Sequence, residues 1–342
     1  MSSVVPPGGH VADLMCGTGA VSAALRRSGF RVTAVDVMTF AFHHARVALL
    51  LSEPPDFQGA AAFIQEHGRR GGQRLLPVSA YEGMLEALSN LPPERGYFWR
   101  EFSPEGRPAN GRRARNYFTA ENACRIDAVR GAIRVLGEGG QITDLERSLL
   151  LHDLIMAAND VANIAGTYGH YLSKTVDRAR LPLRLRPAVI SRVGETSGHT
   201  VLRGYAEEVA ASITCDLCYI DPPYMKRQYA ANYHILETLA REDSPEAVGD
   251  SGLRPWRDQY SNFCTRTKIG GSFRTIVREM NCRRFLISYS EDGLLSIDEL
   301  ESILAPFGRT QVSAFKYKRF RSNASPLGTE LAEYLIDLEV DR

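Results

Sequence analysis

Four consecutive residues, Asp221-Pro222-Pro223-Tyr224, set an acid, two prolines and an aromatic directly after the apolar run Cys215-Asp216-Leu217-Cys218-Tyr219-Ile220. Proline donates no hydrogen bond to a sheet and restricts the residue before it. The acid and the tyrosine are therefore expected on a stiff, non-helical turn at the carboxyl end of a strand. Such a turn suits recognition of an exocyclic amine on a nucleobase, which is a poor nucleophile because its lone pair is delocalised into the ring. A carboxylate at Asp221 and a main-chain carbonyl at Pro222 can accept the two N–H bonds and steer the lone pair toward an electrophile. Tyr224 can stack on the base, the way enzymes read a base taken out of a duplex.

A second group lies near the start. Val11-Ala12-Asp13-Leu14-Met15-Cys16-Gly17-Thr18-Gly19 has the pattern of a strand, a glycine turn and the start of a helix, Ala20 to Arg27, ended by Gly29. Another strand, Arg31 to Val35, stops at Asp36, and Thr39 can cap an apolar helix through Leu51. Asp36 follows Gly19 by 17 residues, close to the roughly 20 expected for a carboxylate on ribose hydroxyls. Gly17 and Gly19 allow close backbone approach, so the pair describes a site for a nucleoside-bearing cofactor. The third glycine of the dinucleotide fingerprint and the Gly-Lys-Ser/Thr of triphosphate sites are both missing. Taken alone, the turn also fits a plain strand-to-helix junction.

These groups need a scaffold, and composition bounds it. With 342 residues, 24% charged and 9% aromatic, the chain suits one large α/β domain with an insertion, or two domains. The formal charge of +1 hides local basic runs. No export signal is present, and no apolar run reaches the ~20 residues of a membrane span, so a cytoplasmic protein is expected. The six cysteines are scattered, as suits reduced thiols. Cys215 and Cys218 lack the second pair a zinc site needs and are read as structural. His170 and His234 are read as structural or base-adjacent, and no metal-binding set stands out.

The βα rhythm of residues 1–52 stops at Glu53-Pro54-Pro55 and resumes at about residue 199, through the strand at Thr200. Strands are expected at Phe285 to Tyr289, Gln311 to Tyr317 and Tyr334 to Leu338, with a helix from Ile297 to Leu304 capped by Ser296. Residues 1–52 and 199–342 are thus assigned to an α/β, Rossmann-like catalytic domain, and 53–198 to a mostly helical insertion. Within the insertion, helices are expected from Tyr117 to Leu136 and from Thr143 to Ile164, the second opened by a Thr143…Glu146 capping box. Gly106 to Arg115 is a basic, flexible loop, and Lys174 to Arg186 and Lys318 to Arg321 are further basic runs. Such runs are often only solvated surface, but these suit contact with phosphates, Arg112, Arg113 and Arg115 foremost.

Asp13-Leu-Met-Cys-Gly-Thr-Gly19 together with Asp221-Pro-Pro-Tyr224 resembles motifs I and IV of S-adenosylmethionine-dependent DNA methyltransferases that modify amino groups, specifically the adenine-N6 enzymes of the D12-like group. The similarity extends to Tyr117-Phe-Thr-Ala-Glu-Asn122, Asn163-Ile-Ala-Gly-Thr-Tyr-Gly169, Arg227-Gln-Tyr229, Ile287-Ser-Tyr289 and Lys318-Arg-Phe-Arg321. It implies a class I methyltransferase sheet. Asp13, Cys16, Gly17 and Gly19 would line S-adenosylmethionine, with Asp36 on its ribose. Asp221, Pro222, Pro223 and Tyr224 would hold the target adenine. The insertion would carry target recognition, and Arg112, Arg113, Arg115, Arg227, Lys318, Arg319 and Arg321 would meet nucleic acid. An acid at position 221 points to adenine, since cytosine-N4 enzymes usually carry serine there. Related enzymes commonly place a Gly-x-Lys segment before the first strand, whereas here a short stretch rich in proline and glycine precedes Val11.

The expected partners are duplex DNA and a cognate restriction or defence protein, with the chain acting as a monomer and on no membrane. An RNA base methyltransferase and a catalytically silent DNA-binding subunit are the alternatives. A protein glutamine methylase is disfavoured, because that group has asparagine in place of Asp221.

Overall fold

The structure, a computed structural model, describes residues 4–68, 79–110, 113–192, 198–318 and 330–341. The chain opens with β1 (His10–Leu14), α1 (Ala20–Arg27), β2 (Arg31–Asp36) and α2 (Thr39–Leu50). Helices α3 (Ala61–His67), α4 (Ala80–Ser89), α5 (Tyr97–Phe102), α6 (Ala120–Glu138) and α7 (Asp144–Asp160) follow. Then come β3 (Thr200–Arg203), α8 (Ala206–Val209), β4 (Leu217–Ile220), α9 (Tyr229–Asn232), α10 (His234–Arg241) and α11 (Arg266–Glu279). The chain ends in β5 (Arg284–Ser290), α12 (Ile297–Leu304), β6 (Gly308–Lys318) and β7 (Glu330–Val340).

Among the described residues the strands form one seven-stranded sheet in the order β3-β2-β1-β4-β5-β7-β6. All neighbours are parallel except β7, which runs antiparallel to both β5 and β6. β4 is apolar and nearly all buried, and β1 is buried from Val11 to Leu14, as befits central parallel strands. From β1 the chain steps outward through β2 to β3, and from β4 it steps the other way to β5. The order therefore reverses between β1 and β4, the point at which open α/β sheets bind ligands. Phe273 and Ile276 of α11 and Leu300 of α12 pack on Phe285, Ile287 and Leu338 of the sheet. Phe273 is fully buried, and truncating such a side chain to alanine removes about 3–5 kcal/mol.

The chain divides into two compact units, one of residues 1–49, 193–229 and 259–342, the other of 50–192 and 230–258. The first holds the sheet. In the second, α6 is capped by Thr119, whose hydroxyl accepts from the Asn122 N–H, and α7 by the expected Thr143–Glu146 box. α6 therefore starts at Ala120 rather than Tyr117, and Tyr117 and Phe118 are buried just ahead of its cap. α7 ends at Asp160. Thr39 is the first residue of α2 rather than its cap, and its hydroxyl accepts from Arg203.

Residues 230–258 depart from the sequence expectation, which left them with the sheet. They belong to the helical unit, where Arg254 forks onto the Asp243 carboxylate at 2.9 and 2.7 Å. The Tyr97 hydroxyl donates to the Pro245 carbonyl and the Asn110 amide to that of Ala247. His234 is fully buried on α10, with Nε2 3.0 Å from the Tyr168 carbonyl, a structural place that burial enforces by pushing its pKa down to about 3. Among the described residues no helix is long and apolar enough to cross a membrane.

Candidate active site

β1 delivers the glycine turn. Met15 and Gly17 adopt left-handed backbone (φ 61° and 53°), and the Gly19 N–H closes the turn on the Cys16 carbonyl at 2.9 Å. Gly19, at φ 75°, precedes α1, and a Cβ there would meet the Ala45 Cα at 3.4 Å. Glycine at 17 therefore serves the turn and at 19 both the turn and the approach of α2. Strain at Met15, a non-glycine residue, is of the kind that clusters at functional loops.

β2 delivers Asp36 beside that turn. Its Oδ2 accepts from the Gly17 N–H at 2.9 Å and its Oδ1 from the Met38 N–H at 2.8 Å. Asp36 thus braces the turn from both of its carboxylate oxygens.

Asp13, expected from the resemblance to line the cofactor, lies beneath the turn. It is buried, and its Oδ2 accepts from the Ser22 hydroxyl of α1 at 2.5 Å, tying strand to helix beneath the turn. Burial pushes its pKa up to about 7, the Ser22 bond opposes the rise, and the charges of Asp221 and Asp36 add to it. Cys16 is buried as well, its thiol pushed up by loss of hydration and then by Asp36 and Asp13.

β4 ends at Ile220 and hands Asp221 to the loop at the same level as the glycine turn, since Leu14 pairs with Ile220. Asp221 reaches solvent, yet loss of hydration raises its pKa to about 6, and Glu333 adds to the rise. The Cys264 thiol lies 3.6 Å from the Pro223 carbonyl and 3.4 Å from that of Arg227. The Gln228 amide exchanges bonds of 2.9 and 2.8 Å with the backbone of Ser261. Tyr224 packs edge-on against Tyr289 with ring centroids 5.6 Å apart, and its carbonyl accepts from Leu294. Tyr289 is itself fixed by the Leu295 N–H at 3.0 Å, and a Cβ at Gly293 would strike its ring. Gln228, Ser261 and Cys264 were not legible as site supports, because their partners lie far away in sequence.

The basic candidates divide. Arg115 is not a surface residue: it is fully buried, donating to Glu101 Oε2 at 2.9 Å, to the Glu101 carbonyl at 3.0 Å and to the Gly249 and Asp250 carbonyls. Gly106 and Ala109 of the loop before it are held in place: a Cβ at Gly106 would lie 2.3 Å from the carbonyl oxygens of Trp99 and Arg100, and Ala109 donates to Glu101. Arg113 and Arg227 are exposed. Arg112, Arg319 and Arg321 lie outside the described residues, as does the side chain of Lys318 at the end of β6.

The donor set fits S-adenosylmethionine. Asp13, Asp36 and Asp221 gather at the ends of β1, β2 and β4; loss of hydration raises the pKa of Asp13 and of Asp221, and the charges of Asp221 and Asp36 add to the rise at Asp13. A cationic sulfonium relieves that repulsion, and the left-handed glycine turn leaves backbone open to approach.

The D12 class N6 adenine-specific DNA methyltransferase family matches residues 1–303. The chain is 38% identical over 233 residues to the type II methyltransferase M.FokI of Planomicrobium okeanokoites, covering 66% of this chain and 35% of that protein. It is 32% identical over 260 residues to M.NlaIII of Neisseria lactamica, covering 75% of each. It is 29% identical over 333 residues to the modification methylase LlaI of Lactococcus lactis subsp. lactis, covering 95% of this chain and 50% of that one. The chain thus spans about a third of M.FokI and half of LlaI. On the extent of the family match and of the likeness to M.NlaIII, the chain belongs to the D12 class of N6 adenine-specific DNA methyltransferases.

Proposed function

We propose that this chain transfers a methyl group from S-adenosylmethionine to N6 of adenine in duplex DNA, with the target base flipped out of the stack. The observation that carries the reading is the Asp221-Pro-Pro-Tyr224 loop at the reversal point of the sheet, level with the glycine turn that Asp36 braces. Gly17 and Gly19 seat the cofactor and Asp36 takes its ribose. When bound, S-adenosylmethionine supplies a methyl carbon made electrophilic by the adjoining sulfonium. Asp221 and the Pro222 carbonyl accept the two N–H bonds of the amine and aim its lone pair, while Tyr224, backed by Tyr289, holds the base. Positioning and charge placement supply the rate, and no covalent enzyme intermediate is required.

The helical unit, with exposed Arg113, and the sheet unit, with exposed Arg227, make the phosphate contacts that set register without reading sequence. The relatives are named type II methyltransferases and modification methylases, which supports a partner restriction enzyme protected against by this modification. Expression in a methylation-free host followed by single-molecule sequencing of its DNA tests the proposal. N6-methyladenine at one recurring motif is the expected result. Methylation of RNA alone selects an RNA enzyme, and DNA binding without cofactor binding selects a silent subunit.

A further inference from the structure

The sheet carries a second carboxylate beside Asp221, on a strand beyond the reach of the family match, which ends at residue 303. β4 pairs with β5 up to Ile220 opposite Ile287, so Asp221 and Ser288 are the next residues on adjacent strands. Across the other edge of β5, Ser288 pairs with Leu335 and Ser290 with Glu333. The Ser288 hydroxyl donates to Glu333 Oε1 at 2.8 Å, so the Glu333 side chain leans from its pair partner Ser290 to Ser288, the β5 residue next to Asp221 in register. Tyr219, two residues before Asp221 and on the same face, also bonds to the Ser288 hydroxyl. A network from three strands thus surrounds the strand end that presents Asp221.

We propose that Glu333 is a positioning residue for methyl transfer: anchored by Ser288, it holds a second negative charge beside Asp221 and strengthens that carboxylate's pull on the adenine amine. The inference rests on Asp221 being the carboxylate that binds the amine. In the transfer the N6 lone pair forms the new N–C bond as the C–S bond breaks, with the bonding pair left on sulfur. The nitrogen then carries a surplus proton, which passes to Asp221 and from there to water. A carboxylate of ordinary acidity is a weak acceptor for this task, whereas one close to but below the working pH is both ionised and more basic. Burial alone lifts Asp221 part of the way, and Glu333 is the charged neighbour that adds to it.

The test is the pH profile of kcat/KM, which reports groups on the free enzyme. The groups facing Asp221 are Asp13 from β1, Tyr219 from β4, Ser288 from β5 and Glu333 from β7. Asp13 is held near 7 by burial and by the charges of Asp221 and Asp36, so loss of the Glu333 charge does not lower its inflection. Glu333→Gln keeps the shape and an oxygen for Ser288 but removes the charge. The acid inflection near 6 is expected to move to lower pH and the plateau rate to fall roughly threefold to tenfold, a fraction of the loss from removing a positioned base outright. Glu333→Asp is expected to restore part of both, and Ser288→Ala to shift the inflection the same way by less, which covers the case of a Gln variant that does not fold. An unmoved inflection in the charge-free variant, whatever its rate, overturns the inference and makes Glu333 a packing residue. Asp221→Ala separates the two levels of argument. If it methylates normally, the amine-binding assignment and the inference fall together. If it is inactive while Glu333→Gln matches wild type, the inference alone fails.

Discussion

Arg115 offers a sharp test of how burial overrides sequence pattern. In the run Gly-Arg-Pro-Ala-Asn-Gly-Arg-Arg-Ala-Arg it looks like one of several surface cations, yet its side chain is fully buried against Glu101, whose side chain is 3% exposed. Arg115→Ala removes four hydrogen bonds and leaves the Gly249 and Asp250 carbonyls and the Glu101 carboxylate short of donors. Breaking a buried ion pair on one side costs about 3–5 kcal/mol. Glu101 retains the Ala109 N–H at 3.1 Å and the Arg100 Nε–H at 3.0 Å, which places the loss at the lower end, about 3 kcal/mol. With a denaturant slope of about 2 kcal/mol per molar, the urea midpoint falls by about 1.5 M. The chain's two tryptophans, Trp99 and Trp256, both lie in the helical unit, so their fluorescence reports the unfolding of that unit. A midpoint within experimental error of wild type, together with a flatter salt dependence of DNA affinity, would refute the assignment and return Arg115 to the phosphate contacts.

Asp221→Ala is expected to abolish methylation while S-adenosylmethionine binding, followed by calorimetry, stays within about threefold of wild type, since positioned hydrogen bonds act chiefly on the reacting amine; near-normal turnover argues against its role. Gly17→Ala forces a side chain into φ 53°, a strain of about 1–2 kcal/mol, and is expected to lower the stability of the folded protein by that amount in urea unfolding. An unchanged unfolding midpoint would show that the turn can relax to a negative φ. Arg113→Ala, at an exposed position, is expected to leave folding intact and lower the slope of log affinity against log salt by about one; an unaltered slope means that this side chain faces only water.

What could be read in advance follows the range of the forces involved. The βα start, the Ser296 and Thr143 caps and the stiff loop after Ile220 depend on residues within a few positions of one another, and the structure forms each of them locally. The spacing of Asp36 from Gly19 singled it out in the sequence, but its bond to the Gly17 N–H was not legible, because that depends on the β1–β2 register. The burial of Arg115 and the return of residues 230–258 to the helical unit depend on partners more than 100 positions away, such as Gly249 for Arg115 and Tyr97 for Pro245. Glu333 escaped notice for the same reason: nothing adjacent to it in sequence says that β7 runs antiparallel beside β5.

The gathering of Asp13, Asp36 and Asp221 has a consequence for how the protein exchanges material with its solvent. With Asp13 near 7 and Asp221 near 6, the ligand-free protein at neutral pH stores a fraction of a proton that a lone surface carboxylate would already have shed. A cation arriving among these groups favours their ionised forms and drives that proton out. If S-adenosylmethionine binds at the proposed site, its loading is expected to release part of a hydrogen ion as the sulfonium enters. Its measured heat should depend on the ionisation enthalpy of the buffer, and its affinity should rise with pH through 6 to 7 and level off above.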